Sequence, residues 1–438
     1  MPTWQDPGQK DAARAGVRVR IYPQPWFLDG VRGPVPLTLD VAAGSVAPGP
    51  ACDRMYAVCA LGKTQPYGLL CDRSGRLVPF LPPWRGASLP PPRPDARGHF
   101  DWLEPDDPRF LAMHAWACAR FALDLWQGWL GHVRWHFSSF SPRLEILCTD
   151  GLDNAQAGFG YIELGWNRGW RGHSHPFALN FDVIAHELGH LLLFSLLGIP
   201  PAAWQDAAFR AIHEAMADVV ALLAAAALEP VVEDVLARTC GNLYLANELG
   251  RFAELSPADQ LREASNSVSL AQFRDGWTDE HDLALPLVGA FFDILVEIYQ
   301  IHLVEWGVIP SWVIELADDP ERAAAFAHPL DEVFSDAFAR SREPFRRALA
   351  LARTLTGRIV AGTIRGLAGV RLSFASLVQA ALQAERRVSN GRFARTLRDS
   401  FAWRGIGTIE VGPLLRPQPA RSHLGSARTF VPLGMTRR

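Results

Sequence analysis

The stretch from Val183 to Leu197 is almost wholly apolar, yet two histidines and a glutamate, His186, Glu187 and His190, are set into it. A chain that buries such a stretch must satisfy three polar side chains inside a core, because an unpartnered buried polar group is penalised. Asn180 supplies a helix N-cap ahead of it, and Gly198-Ile199-Pro200-Pro201 ends it, so the segment is expected as one helix. At 3.6 residues per turn, positions 186 and 190 lie about 40° apart around the helix, and both imidazoles can converge on one point. The pattern is H-E-x-x-H. A tetrahedral zinc ion at that point would satisfy both histidines, and Glu187, one residue along, can face the open coordination position and take a proton from a water held there.

Catalytic zinc takes three protein ligands and leaves one position open. Glu214, in Ile212-His213-Glu214-Ala215-Met216-Ala217-Asp218, follows His190 by 24 residues, room for a helix, a turn and a returning helix that Asp206 can cap. Glu214 and Asp218 share a helix face at i, i+4, and Asp218 runs straight into the apolar Val219-Val220-Ala221-Leu222-Leu223, so that face is expected to turn inward. Glu214 is then the third ligand. Asp218, one turn on, is placed to accept the N–H of a metal-bound imidazole, that of His186. His213 points elsewhere on the helix and is expected to be structural.

The rest of the chain narrows the classes. A formal net charge of -3 creates no single-sign field for nucleic acid or an anionic membrane. Six cysteines without a C-x-x-C pair signal neither a thiolate metal site nor a disulfide framework. The polar, proline-broken start lacks the pattern of a secretory signal, and no uninterrupted apolar run is long enough to span a bilayer, so the cytoplasm is the default expectation. Short apolar runs among Gly and Pro suit strands in the first 80 residues, and Pro79 to Pro94 suits an extended connector. One helix is expected from Pro108 to Trp135, with Leu111, Ala115, Cys118, Ala122, Leu125 and Trp129 on one stripe. Two neighbouring strands are expected at 144–148 and 160–164. Further helices fit 284–305, 321–354 and 373–402. The expected units are 1–100, β-rich with its connector, then 101–200 with the metal helix, 201–411, mainly helical, and an irregular tail over 412–438.

H-E-x-x-H followed by E-x-x-x-D looks like the glutamate-zincins, and Ile212-His213-Glu214-Ala215-Met216-Ala217-Asp218-Val219, with Asp182-Val183-Ile184-Ala185 before His186, is similar to the thermolysin family of neutral metallopeptidases. The resemblance runs from about residue 108 to 408 and leaves the first hundred residues unmatched. It implies an α+β fold with a zincin-like catalytic domain, made of a small sheet and an active-site helix, followed by a mainly α-helical C-terminal subdomain and preceded here by a β-rich N-terminal unit. It implies an endopeptidase acting on peptides or proteins, with zinc; no nucleic-acid or membrane partner is expected from the charge balance and the short apolar runs. Asn154 and Ala155 would bind substrate main chain at the cleft edge as an added strand. Arg262 of Leu261-Arg262 would hold a substrate carbonyl and help orient Glu214. His281 would stabilise the oxyanion. Val183 and Leu261 would favour an apolar residue after the cut.

Two departures accompany the likeness. No tyrosine lies between His190 and Tyr244, where the family carries one for the oxyanion, so that task falls to zinc and His281. The family's structural calcium acids are not assembled either: Asp182 matches one, and Glu229, Glu233 and Asp234 form only a loose group. The alternative to a peptidase is an inactive zincin that uses the same cleft to bind a peptide or protein.

Overall fold

The computed structural model describes residues 16–27, 33–72, 74–170, 173–245, 247–254, 260–315 and 327–415. The chain divides into two compact units, one reaching to Ser195 and the other beginning at Leu196. Together they make a mixed α+β protein.

In the first unit, β1 (Gly16–Ile21) and β2 (Val35–Ala42) form an antiparallel pair. β3 (Met55–Ala60) follows, then the hairpin of β4 (Gly68–Cys71) and β5 (Leu77–Phe80), then α1 (Phe110–Leu130). β6 (Leu144–Thr149), β7 (Ala155–Gly158) and β8 (Tyr161–Leu164) complete a four-stranded sheet in the order β3-β6-β8-β7. The first three are mutually parallel and β7 runs antiparallel on the outer side of β8. The expected strands at 144–148 and 160–164 are thus neighbours. Parallel strands need a long crossover, and between β3 and β6 α1 lies in it and packs on both strands. β9 (Trp166–Trp170) and β10 (His173–Pro176) form a hairpin that leads into α2 (Phe181–Leu197).

β6 is buried at every residue, which suits a central parallel strand but leaves the Glu145 carboxylate inside. It is satisfied there by the hydroxyls of Tyr56 at 2.6 Å and Tyr67 at 2.7 Å and by the Trp84 amide at 3.0 Å. The proline-rich segment is more than a connector. Leu61 N donates to Ala87 O and Leu89 N to Cys59 O, so residues 87–89 cover the outer edge of β3. β3 itself is hydrogen-bonded to β6, a strand that lies well beyond residue 100. In α1, Ala115, Cys118 and Ala122 are buried as expected, but Leu111, Leu125 and Trp129 are half-buried while Met113, Trp116 and Trp126 are fully buried. The helix is covered over more than one stripe.

His114 of α1 shows how the unit responds to acid. Its Nε2 accepts from the Tyr22 amide at 2.9 Å, so Nδ1 carries the proton and donates to the Ala178 carbonyl at 2.8 Å. Burial depresses its pKa to about 4, against about 6.5 for an open imidazole. A depressed folded-state value means stability that is complete above pH 6.5 and lost as pH falls toward 4, because the unfolded chain takes up the proton first. Over that window the loss is about 3 kcal/mol. Denaturant unfolding followed from pH 7 to 4 should show it, with a flatter dependence in His114→Asn.

The second unit is mainly helical. α3 (Ala207–Ala225), α4 (Glu229–Thr239), the short antiparallel pair β11 (Arg251–Glu254) and β12 (Gln260–Glu263), and α5 (Glu280–Glu305) precede α6 (Ala327–Arg340), α7 (Glu343–Gly366), α8 (Phe374–Ser389) and α9 (Ala394–Trp403). α5 packs against α3, α7 and α9. It is long and apolar enough to cross a membrane by composition, but 78% of its most apolar window is buried within the protein. Arg404, 1% exposed, locks the end of α9 to α5 through Asp293 at 2.7 Å and to the chain at Asn266 and Val268. α3 stops at Ala225, and Pro230 sits in the first turn of α4. The helix expected over 373–402 is two, divided where Asn390 and Gly391 adopt left-handed backbone with φ of 57° and 85°. Within the expected 321–354 helix, residues 321–326 lie outside the described set and the remainder breaks between α6 and α7. Of the expected tail, 416–438 lie outside it as well.

Candidate metal centre

The Asn180 carboxamide oxygen accepts from the amides of Asp182 at 3.0 Å and Val183 at 3.2 Å and so starts α2 where the sequence places it. Val183, His186, Glu187 and His190 are all buried. The Nε2 atoms of His186 and His190 face each other at 2.9 Å, with the rings nearly perpendicular at 89°. Two nitrogens on a tetrahedral ion, each at 2.0–2.1 Å, stand roughly 3.3 Å apart, so the convergence of these imidazoles is close to what one shared ion requires.

On α3, the Asp206 carboxylate caps the helix by accepting from the Phe209 amide at 3.0 Å. Glu214 and Asp218 are 1% and 2% exposed, so the face that carries them is turned inward rather than solvated. His213 is buried beside Phe209. His281 lies at the start of α5, where the Asp279 carboxylate accepts from its amide at 2.8 Å, and its Nδ1 stands 3.0 Å from Oε2 of Glu214. Arg210, one turn before Glu214, pairs with Glu280 at 2.8 Å and ties the same two helices together. That tie was not anticipated from sequence; its signal was an arginine at i−4 from Glu214 and an acid next to His281.

One group of side chains able to hold a metal ion is found among the described residues: His186, His190 and Glu214, whose ligand atoms all lie within 4.8 Å of one another. Two imidazoles and a carboxylate, all buried, are a donor set suited to zinc.

Asn154 and Ala155 sit at the outer strand of the sheet. Asn154 O accepts from Gly165 N at 2.8 Å, and Ala155 opens β7, opposite Leu164. Beside it, Gln156 donates to Glu163 of β8 at 2.5 Å, a support for this strand that no motif announced. Leu261 and Arg262 lie in β12, but their side chains fall outside the described residues. Of the acids weighed for calcium, Glu229 and Glu233, together with Glu343, surround the guanidinium of Arg346, and Asp234 pairs with Arg238 at 2.9 Å.

No family model matches the sequence, and no curated protein matches it. Among solved structures, the chain matches the precursor of protealysin, a metalloproteinase from Serratia proteamaculans, at 12% identity and a TM-score of 0.47, over 81% of this chain and 88% of that one.

Proposed function

We propose that this protein is a zinc metallopeptidase, an endopeptidase of thermolysin-like, glutamate-zincin type, with His186, His190 and Glu214 as ligands and Glu187 as general base. The observation that carries the proposal is the mutual approach of the three ligand atoms within 4.8 Å, with Glu187 adjacent on the helix that provides two of them. When bound, zinc supplies a Lewis acid and lowers the pKa of a coordinated water to roughly 7. Glu187 accepts the water's proton as the oxygen attacks the peptide carbonyl, then delivers it to the departing amine. β7, the antiparallel outer strand, takes the substrate main chain as a further strand through Asn154 and Ala155. His281 donates to the carbonyl oxygen as it gains charge, and its place beside Glu214 keeps that carboxylate in one orientation. Asp218 accepts the remaining N–H of His186. Val183 and Leu261 favour an apolar residue after the cut, and Arg262 holds a substrate carbonyl.

Purified without added metal, the wild type should carry about one zinc per chain and cleave members of a quenched peptide library in a chelator-sensitive way, and Glu214→Ala should lose both. Zinc without cleavage would favour a peptide-binding protein built on the same cleft. Absence of zinc from the wild type would sink the site.

A further inference from the structure

Away from this site, two of the six cysteines meet in the sheet. Cys59 of β3 and Cys148 of β6 are direct partners in the parallel register, so their side chains leave the same face of the sheet. Adjacent strands lie about 4.8 Å apart, within the Cα separation a disulfide spans. Both are free thiols, and the Cys59 thiol donates to the Pro108 carbonyl at 3.7 Å. Their surroundings differ. Cys148 is enclosed, whereas Cys59 lines a cavity of about 380 Å³ walled by Tyr56, Leu89, Pro90, Arg109 and Ala112. Contact with Cys59 and burial push the Cys148 thiol well above its ordinary range. Cys59 is thus the one a small molecule can reach. Cys118 is fully enclosed and pushed up by burial as well.

We propose that Cys59 and Cys148 form a reversible disulfide when a small peroxide enters this cavity, with Cys59 meeting the oxidant and Cys148 closing the bond. The Cys59 sulfur attacks one peroxide oxygen and the O–O bond breaks; the leaving oxygen takes the thiol proton and departs as water, and Cys59 becomes a sulfenic acid. The Cys148 sulfur then displaces hydroxide from it. The S–S bond forms as the S–O bond breaks, and the Cys148 proton leaves with the hydroxide as a second water. The two electrons that reduce the peroxide come from the two thiols.

The test treats the folded full-length protein with equimolar hydrogen peroxide, blocks remaining thiols with a maleimide, and maps the digest by mass spectrometry without reductant. The expected result is loss of two of the six thiols, with the Cys59 and Cys148 peptides joined and released again by dithiothreitol. In Cys148→Ser, dimedone should capture a sulfenic acid at Cys59, and in Cys59→Ser, Cys148 should stay reduced. If Cys59 and Cys148 both still label after the exposed Cys71 has been oxidised, the proposal fails. The wild-type map decides this even if the serine variants do not fold.

Discussion

On the proposed mechanism, glutamine in place of Glu187 should leave zinc bound and lower turnover by about a thousandfold, the middle of the range that a general base contributes. The amide is nearly isosteric with the carboxylate, and Glu187 is buried, so shape and packing are kept. What the proposed mechanism loses is the capacity to accept a proton from water and return it to the amine. His186, His190 and Glu214 remain, and with them the donor set. The variant therefore separates chemistry from metal binding, which Glu214→Ala does not. On a peptide the wild type cleaves, kcat should fall with little change in KM, because the lost interaction belongs to the transition state. Undiminished kcat would remove Glu187 from the mechanism. Loss of zinc would show instead that the carboxylate is a ligand.

How much of this was legible in the sequence follows from how local each signal is. The two helices that carry the candidate ligands announce themselves through caps: Asn180 and Asp206 bond the amides their positions imply. Helical spacing alone brings His186 and His190 to one point. The inward turn of Glu214 and Asp218 followed from the apolar run after them. What was missed depends on partners distant in sequence or on backbone conformations that hydrophobic period does not encode. The left-handed pair Asn390-Gly391 interrupts an otherwise continuous helical pattern. Residues 87–89 read as part of a linker because prolines stand on both sides of them, yet Ala87, Ser88 and Leu89 are themselves free to pair and β3 supplies the bonding. Lys63, Glu145 and Glu163 look like surface charges until the fold encloses them.

That enclosed group sets the second large effect. Lys63 Nζ lies 2.5 Å from Oε1 of Glu163, both side chains are 1% exposed, and the ammonium also rests over the Tyr67 and Phe80 rings at 4.0 and 4.7 Å. The other carboxylate oxygen accepts from the Tyr67 amide at 2.8 Å and from Gln156. Burial nevertheless outweighs the partner at each end: it holds the ammonium below its ordinary range and the carboxyl above its own. Removing one partner should therefore be far worse than removing both. Lys63→Met leaves an unpaired buried carboxylate and should cost about 3–5 kcal/mol at neutral pH, while Lys63→Met with Glu163→Gln keeps the hydrogen bonds from Tyr67 and Gln156, removes both charges and should recover most of that loss. The single variant also acquires a pH dependence. With its folded-state pKa raised, Glu163 contributes stability below its unfolded value, near 4.3, and loses it as pH rises through the folded value, so Lys63→Met should be less impaired at pH 5 than at pH 8. Urea unfolding of the wild type, both single variants and the double variant at the two pH values measures the coupling, and strictly additive losses would mean that the ions act independently. Because Gln156 bonds to this carboxylate from the strand that begins with Ala155, the same loss should loosen the proposed substrate edge and appear as a higher KM in the single variant, restored in the double.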